Sequence, residues 1–149
     1  MKISDKKLKH MLGVARECYR LSLERGHDEE FNRKMFMAGF LHDIGYEFST
    51  PEYNHADASA DLLLALGVDD ENIISAVKEH GHPQSKPTEE WLILNTADMT
   101  TDYEGFHVDV CERLNSIRNR YNPLSEQYTN AVKICVEVGL VKTRRAFHG

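Results

Sequence analysis

The chain has 149 residues and carries 24 acidic against 18 basic side chains, a formal net charge of −6 with histidine neutral. That length predicts one domain over residues 1–149, and a composition that is 41% hydrophobic and 28% charged excludes a disordered chain. The acidic balance argues against nucleic acid as a partner. No apolar run reaches the roughly 18 residues of a membrane span, and the start lacks a secretory signal. We therefore expect a cytoplasmic protein with no membrane partner.

Helical periodicity runs along almost the whole chain, because apolar residues recur three and four positions apart. Polar residues that favour helix N-caps precede the early runs, and glycines follow them. The predicted caps are Ser4 or Asp5, Asp28, Asn54, and Asp69 or Asp70, and the predicted stops are Gly26, Gly45, Gly67 and Gly81. Further helical segments are predicted over 89–102, 109–120 and 125–138. Hairpin signals are almost absent, so the sequence predicts an all-α single-domain bundle of about six to seven helices.

The cysteines of the chain, Cys18, Cys111 and Cys135, are isolated and odd in number. This pattern argues against a disulfide framework and against a zinc site built from paired cysteines. We expect all three to be small buried side chains. Histidine is more informative, because the chain contains eight of them.

Histidine and aspartate residues fall at helix ends or on buried helix faces. In chain order they are His10, the pair His42 and Asp43, His55, His80 and Asp98. Imidazole and carboxylate bind zinc, manganese, iron or nickel, and the lack of thiols nearby argues against a structural zinc cage. Asp43 follows an apolar run over 37–41, where an unpaired carboxylate is costly. The sequence therefore predicts a catalytic metal site with open coordination positions.

The order of these residues resembles the HD superfamily of metal-dependent phosphohydrolases. The resemblance rests on His10, on the segment AGFLHDIG at 38–45 and on NTAD at 95–98, and it extends over about residues 8–104. It implies an HD-type helical bundle, with the C-terminal helices at about 105–140 lying outside the motif-bearing part. It also implies that one divalent metal is held by His10, His42, Asp43 and Asp98.

Two further segments resemble His-rich branches of that superfamily. His55 would open the helix after the loop and His80 would end the next helix, supplying the imidazoles of a second metal, with Asp43 as the bridge. Each could instead be an ordinary histidine at a helix end. His82 lies about 200° from His80 on a helix, so we choose His80 as the ligand. The remaining histidines are interpreted as surface residues: His27, His82, His107 and His148. The implied cofactor is one or two divalent ions, which can be iron, manganese, zinc, nickel or magnesium.

The pattern is most similar to the branch that includes bacterial dinucleoside tetraphosphate hydrolases, where Lys34 has a comparable place before the His-Asp pair. The resemblance implies that metal-bound hydroxide cleaves a phosphoester or phosphoanhydride of a small nucleotide-like substrate. Catalytic roles are predicted for Asp43, Lys34 and Asp102. Asp102 follows Asp98 by four residues and would share its helical face as an orienting group or general base, although 102–105 is also typical of a helix end and turn. Cations that could bind substrate phosphate, unranked by sequence, are Arg33, Lys34, Lys78 and Lys86.

Other hypotheses stay open at this point. The chain could be a catalytically silent nucleotide- or metal-binding regulatory module of HD fold, or a di-iron HD oxygenase. It could also form a homodimer, because the apolar faces of the last two predicted helices could pair two copies.

Overall fold

The computed structural model describes residues 3–141 of the chain. In this part of the chain it contains seven α-helices, one short 3-10 helix and no strand. In chain order they are α1 (Asp5–Glu24), α2 (Glu29–Leu41), the 3-10 helix (Ile44–Glu47), α3 (His55–Ala65), α4 (Glu71–Lys78), α5 (Glu89–Met99), α6 (Val110–Tyr121) and α7 (Glu126–Glu137). The protein is an all-α single-domain helical bundle, which confirms the predicted fold class. Among the helices described, none has the length and apolar character needed to cross a bilayer.

Side-chain caps explain where the helices begin. At each α-helix the N-cap side chain accepts a hydrogen bond from a backbone N–H of the first turn, and the caps are Ser4, Asp28, Asn54, Asp70, Thr88, Asp109 and Ser125. Gly45 does not end α2 as the sequence predicted. Helix α2 already ends at Leu41, and Gly45 lies inside the 3-10 helix. His148, interpreted above as a surface residue, lies outside the described residues.

Helix α5 is the centre of the bundle, since it packs against α1, α2, α4, α6 and α7. Its Trp91 and Leu94 are buried in one continuous apolar core. Leu114 of α6 and Ile134 of α7 belong to the same core, so the apolar faces on which the homodimer hypothesis rested are buried within the chain itself. The interior therefore fixes α5, and with it the position of Asp98.

The prediction of three buried cysteines is wrong for one of them. Cys18 and Cys135 are buried, whereas Cys111 is exposed. Cys111 lies outside the buried face of α6, which is formed by Val110, Arg113, Leu114 and Ile117.

The 3-10 helix lies directly against the start of α3. A Cβ atom on Gly45 would lie 1.9 Å from the carbonyl oxygen of His55 and 2.6 Å from the backbone nitrogen of Ser59. The Gly45 N–H donates to Ser59 Oγ at 2.7 Å. Glycine is required at this contact because any side chain would push the two backbones apart. The contact holds His55 close to the segment that follows α2.

We expect Gly45→Ala to lower the free energy of unfolding by about 1–3 kcal/mol, because α3 must move to accept the added methyl group. Urea denaturation measures this change. Leu64→Ala is the control, since Leu64 is on α3 but 54% exposed, and it should change stability by less than about 0.5 kcal/mol. Equal stability of Gly45→Ala and the wild type would contradict the close contact.

Candidate metal centre

All six residues predicted as metal ligands lie together in the structure. They come from different elements: His10 from α1, His42 and Asp43 directly after α2, His55 at the start of α3, His80 after α4, and Asp98 from α5. His10, His42, Asp43 and His80 are buried, and His55 is half-buried. Two overlapping groups of these side chains have ligand atoms close enough to hold a metal ion, and Asp43 belongs to both.

The first group brings two imidazoles onto two carboxylates. His10 Nε2 lies 2.9 Å from Asp98 Oδ1 and 4.0 Å from Asp43 Oδ2. His42 Nε2 lies 3.1 Å from Asp43 Oδ2 and 3.6 Å from Asp98 Oδ1. Each of the two Nε2 atoms therefore lies within 4.0 Å of one oxygen of each carboxylate. The ligand atoms of His10, His42 and Asp43 are all close enough to one another to hold one ion, and Asp98 adjoins this set through the two histidines.

The second group uses the other oxygen of Asp43. Asp43 Oδ1 lies 3.2 Å from His80 Nε2 and 3.4 Å from His55 Nε2, and these two nitrogens are 3.3 Å apart. Two nitrogens bonded to one tetrahedral zinc ion at about 2.0–2.1 Å would lie about 3.3 Å apart. The observed separation thus fits a shared ion, and Asp43 offers one oxygen to each group.

Backbone carbonyls fix the orientation of three of these rings. In each case the Nδ1–H donates to a carbonyl oxygen, and the pairs are His10 to Asp102 (2.9 Å), His42 to Gly39 (2.6 Å) and His80 to Val77 (2.5 Å). A carbonyl oxygen can only accept, so Nδ1 must carry the proton. The Nε2 lone pair of each ring is thereby left to face the carboxylates, which is the tautomer that a metal requires.

The polar atoms at the centre of the cluster require a cation. His42 Nε2 is buried and has no hydrogen-bond partner among residues 3–141. An unprotonated Nε2 and a carboxylate oxygen repel each other at these distances unless a proton or a metal ion lies between them. Because imidazole nitrogens and carboxylate oxygens are both ligands of divalent transition metals, the residues present fit a metal ion.

The electrostatics of the cluster also favour positive charge. Burial lowers the pKa of His42, but the nearby carboxylates of Asp43 and Asp98 outweigh burial and raise that pKa to about 10. Burial raises the pKa of both carboxyls, yet the neighbouring histidines outweigh it and hold the pKa of Asp43 and Asp98 well below the usual range. The carboxylates thus stay charged, and they attract a cation to the point between the rings.

A cavity of about 700 Å³ opens from the cluster. Lys7 lies at its wall, with Nζ 2.9 Å from Asp43 Oδ2 and 4.2 Å from the centre of the Tyr46 ring. The Tyr46 ring stacks on His55 at 3.9 Å and covers one face of this imidazole. His82 also lines the cavity, although it is exposed as the sequence predicted.

Asp102 does not have the position predicted for it, because α5 ends at Met99. Its carboxylate Oδ1 accepts hydrogen bonds from the backbone N–H groups of Glu104 and Phe106, both at 2.9 Å, and thus closes a turn. The orienting contact with His10 comes from the backbone carbonyl of Asp102. The side chain is not among the residues that line the cavity, so a role as general base has no support in the geometry.

Lys34 and the other predicted phosphate-binding cations also lie elsewhere. Lys34 Nζ is 3.5 Å from Glu30 and 3.6 Å from Asp70. Lys34 precedes His42 by eight residues, which is about 12 Å along a helix, so it lies away from the cluster. The residues predicted from sequence that do not line the cavity are Arg33, Lys34, Lys78 and Lys86.

The cations that do line the cavity are Lys7, Arg113 and Arg120, and sequence reasoning missed all three. Two helical spacings could have indicated them. Lys7 precedes His10 by three residues and so shares its face of α1, and Arg113 and Arg120 are seven residues apart on one face of α6.

Comparison with known proteins gives one family match. The HD domain model matches residues 8–105 of the chain. No curated protein and no solved structure matches it significantly. The matched residues include the entire cluster, whereas α6 and α7 lie beyond them.

In the metal-free protein, we expect the stability contributed by His42 to decline between about pH 6.5 and pH 10. The pKa of His42 is raised from 6.5 to about 10 on folding, so its contribution is complete below pH 6.5 and is lost as the pH rises through 10. Urea denaturation of chelator-treated wild type and His42→Gln at several pH values measures this. The stability difference between the two proteins should narrow as the pH rises, and a constant difference would contradict the raised pKa.

Proposed function

Because the chain belongs to the HD domain family, we propose that it is a metal-dependent phosphohydrolase that cleaves a phosphoester or phosphoanhydride of a small nucleotide-like substrate. The observation that carries the proposal is the buried cluster in which Asp43 offers one oxygen to each of two histidine groups. A cavity beside it is large enough for a small-molecule substrate.

Two divalent ions are proposed for this cluster. The first would be held by His10, His42, Asp43 and Asp98, and the second by Asp43, His55 and His80. When bound, such ions lower the pKa of a coordinated water and withdraw charge from phosphoryl oxygens. The short distance between the Nε2 atoms of His55 and His80 supports the second ion and, with it, kinship to the His-rich branch that includes bacterial dinucleoside tetraphosphate hydrolases.

The residues around the ligands have separate tasks in this proposal. The carbonyl of Asp102 holds the His10 ring in position, so Asp102 is a positioning residue. Lys7 places an ammonium beside Asp43, where it can bind a phosphoryl oxygen of the substrate. Burial raises the pKa of Tyr46, so its phenol stays neutral and able to donate a hydrogen bond. Lys34 has no part, because it does not line the cavity.

We expect Asp43→Ala to reduce turnover to the level of the uncatalysed reaction, since the substitution removes a ligand from both groups. Turnover is measured on p-nitrophenyl phosphate, bis-p-nitrophenyl phosphate and nucleotides with iron, manganese, zinc, nickel or magnesium. Asp61→Ala is the control, because Asp61 is exposed on α3 and its carboxylate accepts a hydrogen bond from Tyr53. This control should retain wild-type turnover.

Circular dichroism checks that both variants remain helical. Wild-type turnover by a folded Asp43→Ala protein would exclude the proposed chemistry. Tight nucleotide binding by the wild type without turnover under any of these metals would instead favour a regulatory module.

Elemental analysis of untagged protein tests the number of ions. The wild type should contain about two ions per chain and His55→Ala about one, because the second group then has too few ligands. The control is His82→Ala, which alters a cavity histidine outside both ligand groups and should retain two ions. One ion per chain in all three proteins would rule out the second ion.

A further inference from the structure

Helix α6 contributes two arginines to the wall of the cavity. Arg113 and Arg120 are seven residues apart, which is two helical turns or about 10 Å along α6, and both line the cavity. Neither belongs to the part of the chain that matches the HD domain model, which ends at residue 105. Their presence is therefore a property of this chain and is not implied by the family match.

Arg113 is buried, with 6% of its surface exposed. Its Nε donates to the Asp98 carbonyl oxygen at 3.2 Å, and its Nη2 lies 3.6 Å from Asp98 Oδ1. Its Nη1 is also buried but has no hydrogen-bond partner within the described part of the chain. A buried donor without an acceptor is costly. Arg113 thus offers an unused cationic donor at the edge of the metal cluster.

Arg120 is the second cation, and unlike Arg113 it has no carboxylate partner within the described residues. Across residues 3–141, it forms no ion pair within 4.0 Å. Its guanidinium carbon lies 4.7 Å from the centre of the Tyr103 ring, and that of Arg113 lies at the same distance from the same ring. Stacking holds a guanidinium group by its flat face. The hydrogen bond of Arg120 to Tyr103 raises the pKa of this guanidinium, and the remaining N–H donors of the group can bind an anion. Tyr103 therefore contacts both guanidinium groups, and both line the same cavity.

We propose that Arg113 and Arg120 form an anion subsite for a second phosphoryl group of the substrate. This inference rests on the proposed function, in which the phosphoryl group that reacts lies at the metal cluster. A phosphate monoester would be served by the cluster and Lys7 alone, and it would leave the arginine donors unused. The substrate class is accordingly a diphosphate or a longer phosphoanhydride, whose additional oxygens can accept the paired N–H groups of arginine.

Isothermal titration calorimetry on the metal-loaded full chain tests the subsite with two probes, inorganic phosphate and the non-hydrolysable methylenediphosphonate. Arg120→Gln removes one cation from an exposed position and should leave the fold intact. Arg118→Gln is the matched control, because Arg118 is exposed on the same helix but does not line the cavity. Chelation of metal by the probe would affect the measured affinity in all three proteins alike. A difference in affinity between the proteins therefore reports the contribution of Arg120.

We expect the wild type to bind methylenediphosphonate at least about tenfold more tightly than phosphate, as expected for added hydrogen bonds from a charged donor. Arg120→Gln should weaken diphosphonate binding about tenfold and phosphate binding less than about twofold, and Arg118→Gln should change neither by more than about twofold. No diphosphonate preference in the wild type, no loss in Arg120→Gln, or an equal loss for both probes would overturn the subsite.

Turnover separates this inference from the proposed function. The protein could prefer diphosphonate through Arg120 and yet show no turnover. This result would overturn the proposed phosphohydrolase activity and support the subsite. Turnover of phosphate monoesters without any diphosphonate preference would support the phosphohydrolase and overturn the subsite.

Discussion

The arrangement of the cluster depends on backbone carbonyls that accept the Nδ1 protons of its buried histidines. Gly39 and Val77 lie in the last turns of α2 and α4, where carbonyl groups lose their regular helical N–H partners. His42 and His80 follow three residues later, and their Nδ1–H groups donate to these carbonyls. Each helix end therefore fixes a tautomer, and it also directs the negative end of its dipole toward the cation site. If either helix continued for another turn, its carbonyl would be occupied and the ring would lose its anchor.

The need to hold these histidines in place explains the close contacts around the two carboxylates. Asp98 is fixed by α5, the central helix of the core, while Asp43 lies in the short connection between α2 and the 3-10 helix. The two carboxylates, one buried and one partly buried, repel each other, and burial penalises their charge. The histidines held at contact distance, or the metal that they would bind, offset both effects together with Lys7 beside Asp43 and Arg113 beside Asp98. The packing of Gly45 on α3 brings His55 into reach of the same carboxylate.

The sequence predicted those features correctly that depend on residues close to each other in the chain. Helix periods and N-caps depend on neighbouring residues, so the elements and most of their starts were predictable, and the ordered ligand residues follow from those elements. It failed at Asp102 because α5 ends at Met99 without a glycine or proline, and the Thr100 and Thr101 hydroxyls donate to the carbonyls of Thr96 and Ala97. It also missed the cavity cations, since these come from α1 and α6, and only tertiary packing brings the two helices to one cavity.

The two arginines of α6 that line the cavity differ in their contacts with the proposed metal cluster. Arg113 contacts Asp98 through both the backbone carbonyl and the carboxylate, so a change at Arg113 alters a ligand as well as the cavity wall. Arg120 forms no ion pair with a proposed metal ligand in the described part of the chain, and its guanidinium group lies over the rings of Tyr103 and Tyr121. A substitution at position 120 therefore removes no direct contact with a proposed metal ligand. In the proposed function, a substitution at the far end of α6 would therefore change substrate preference without removing a contact of the proposed metal ligands.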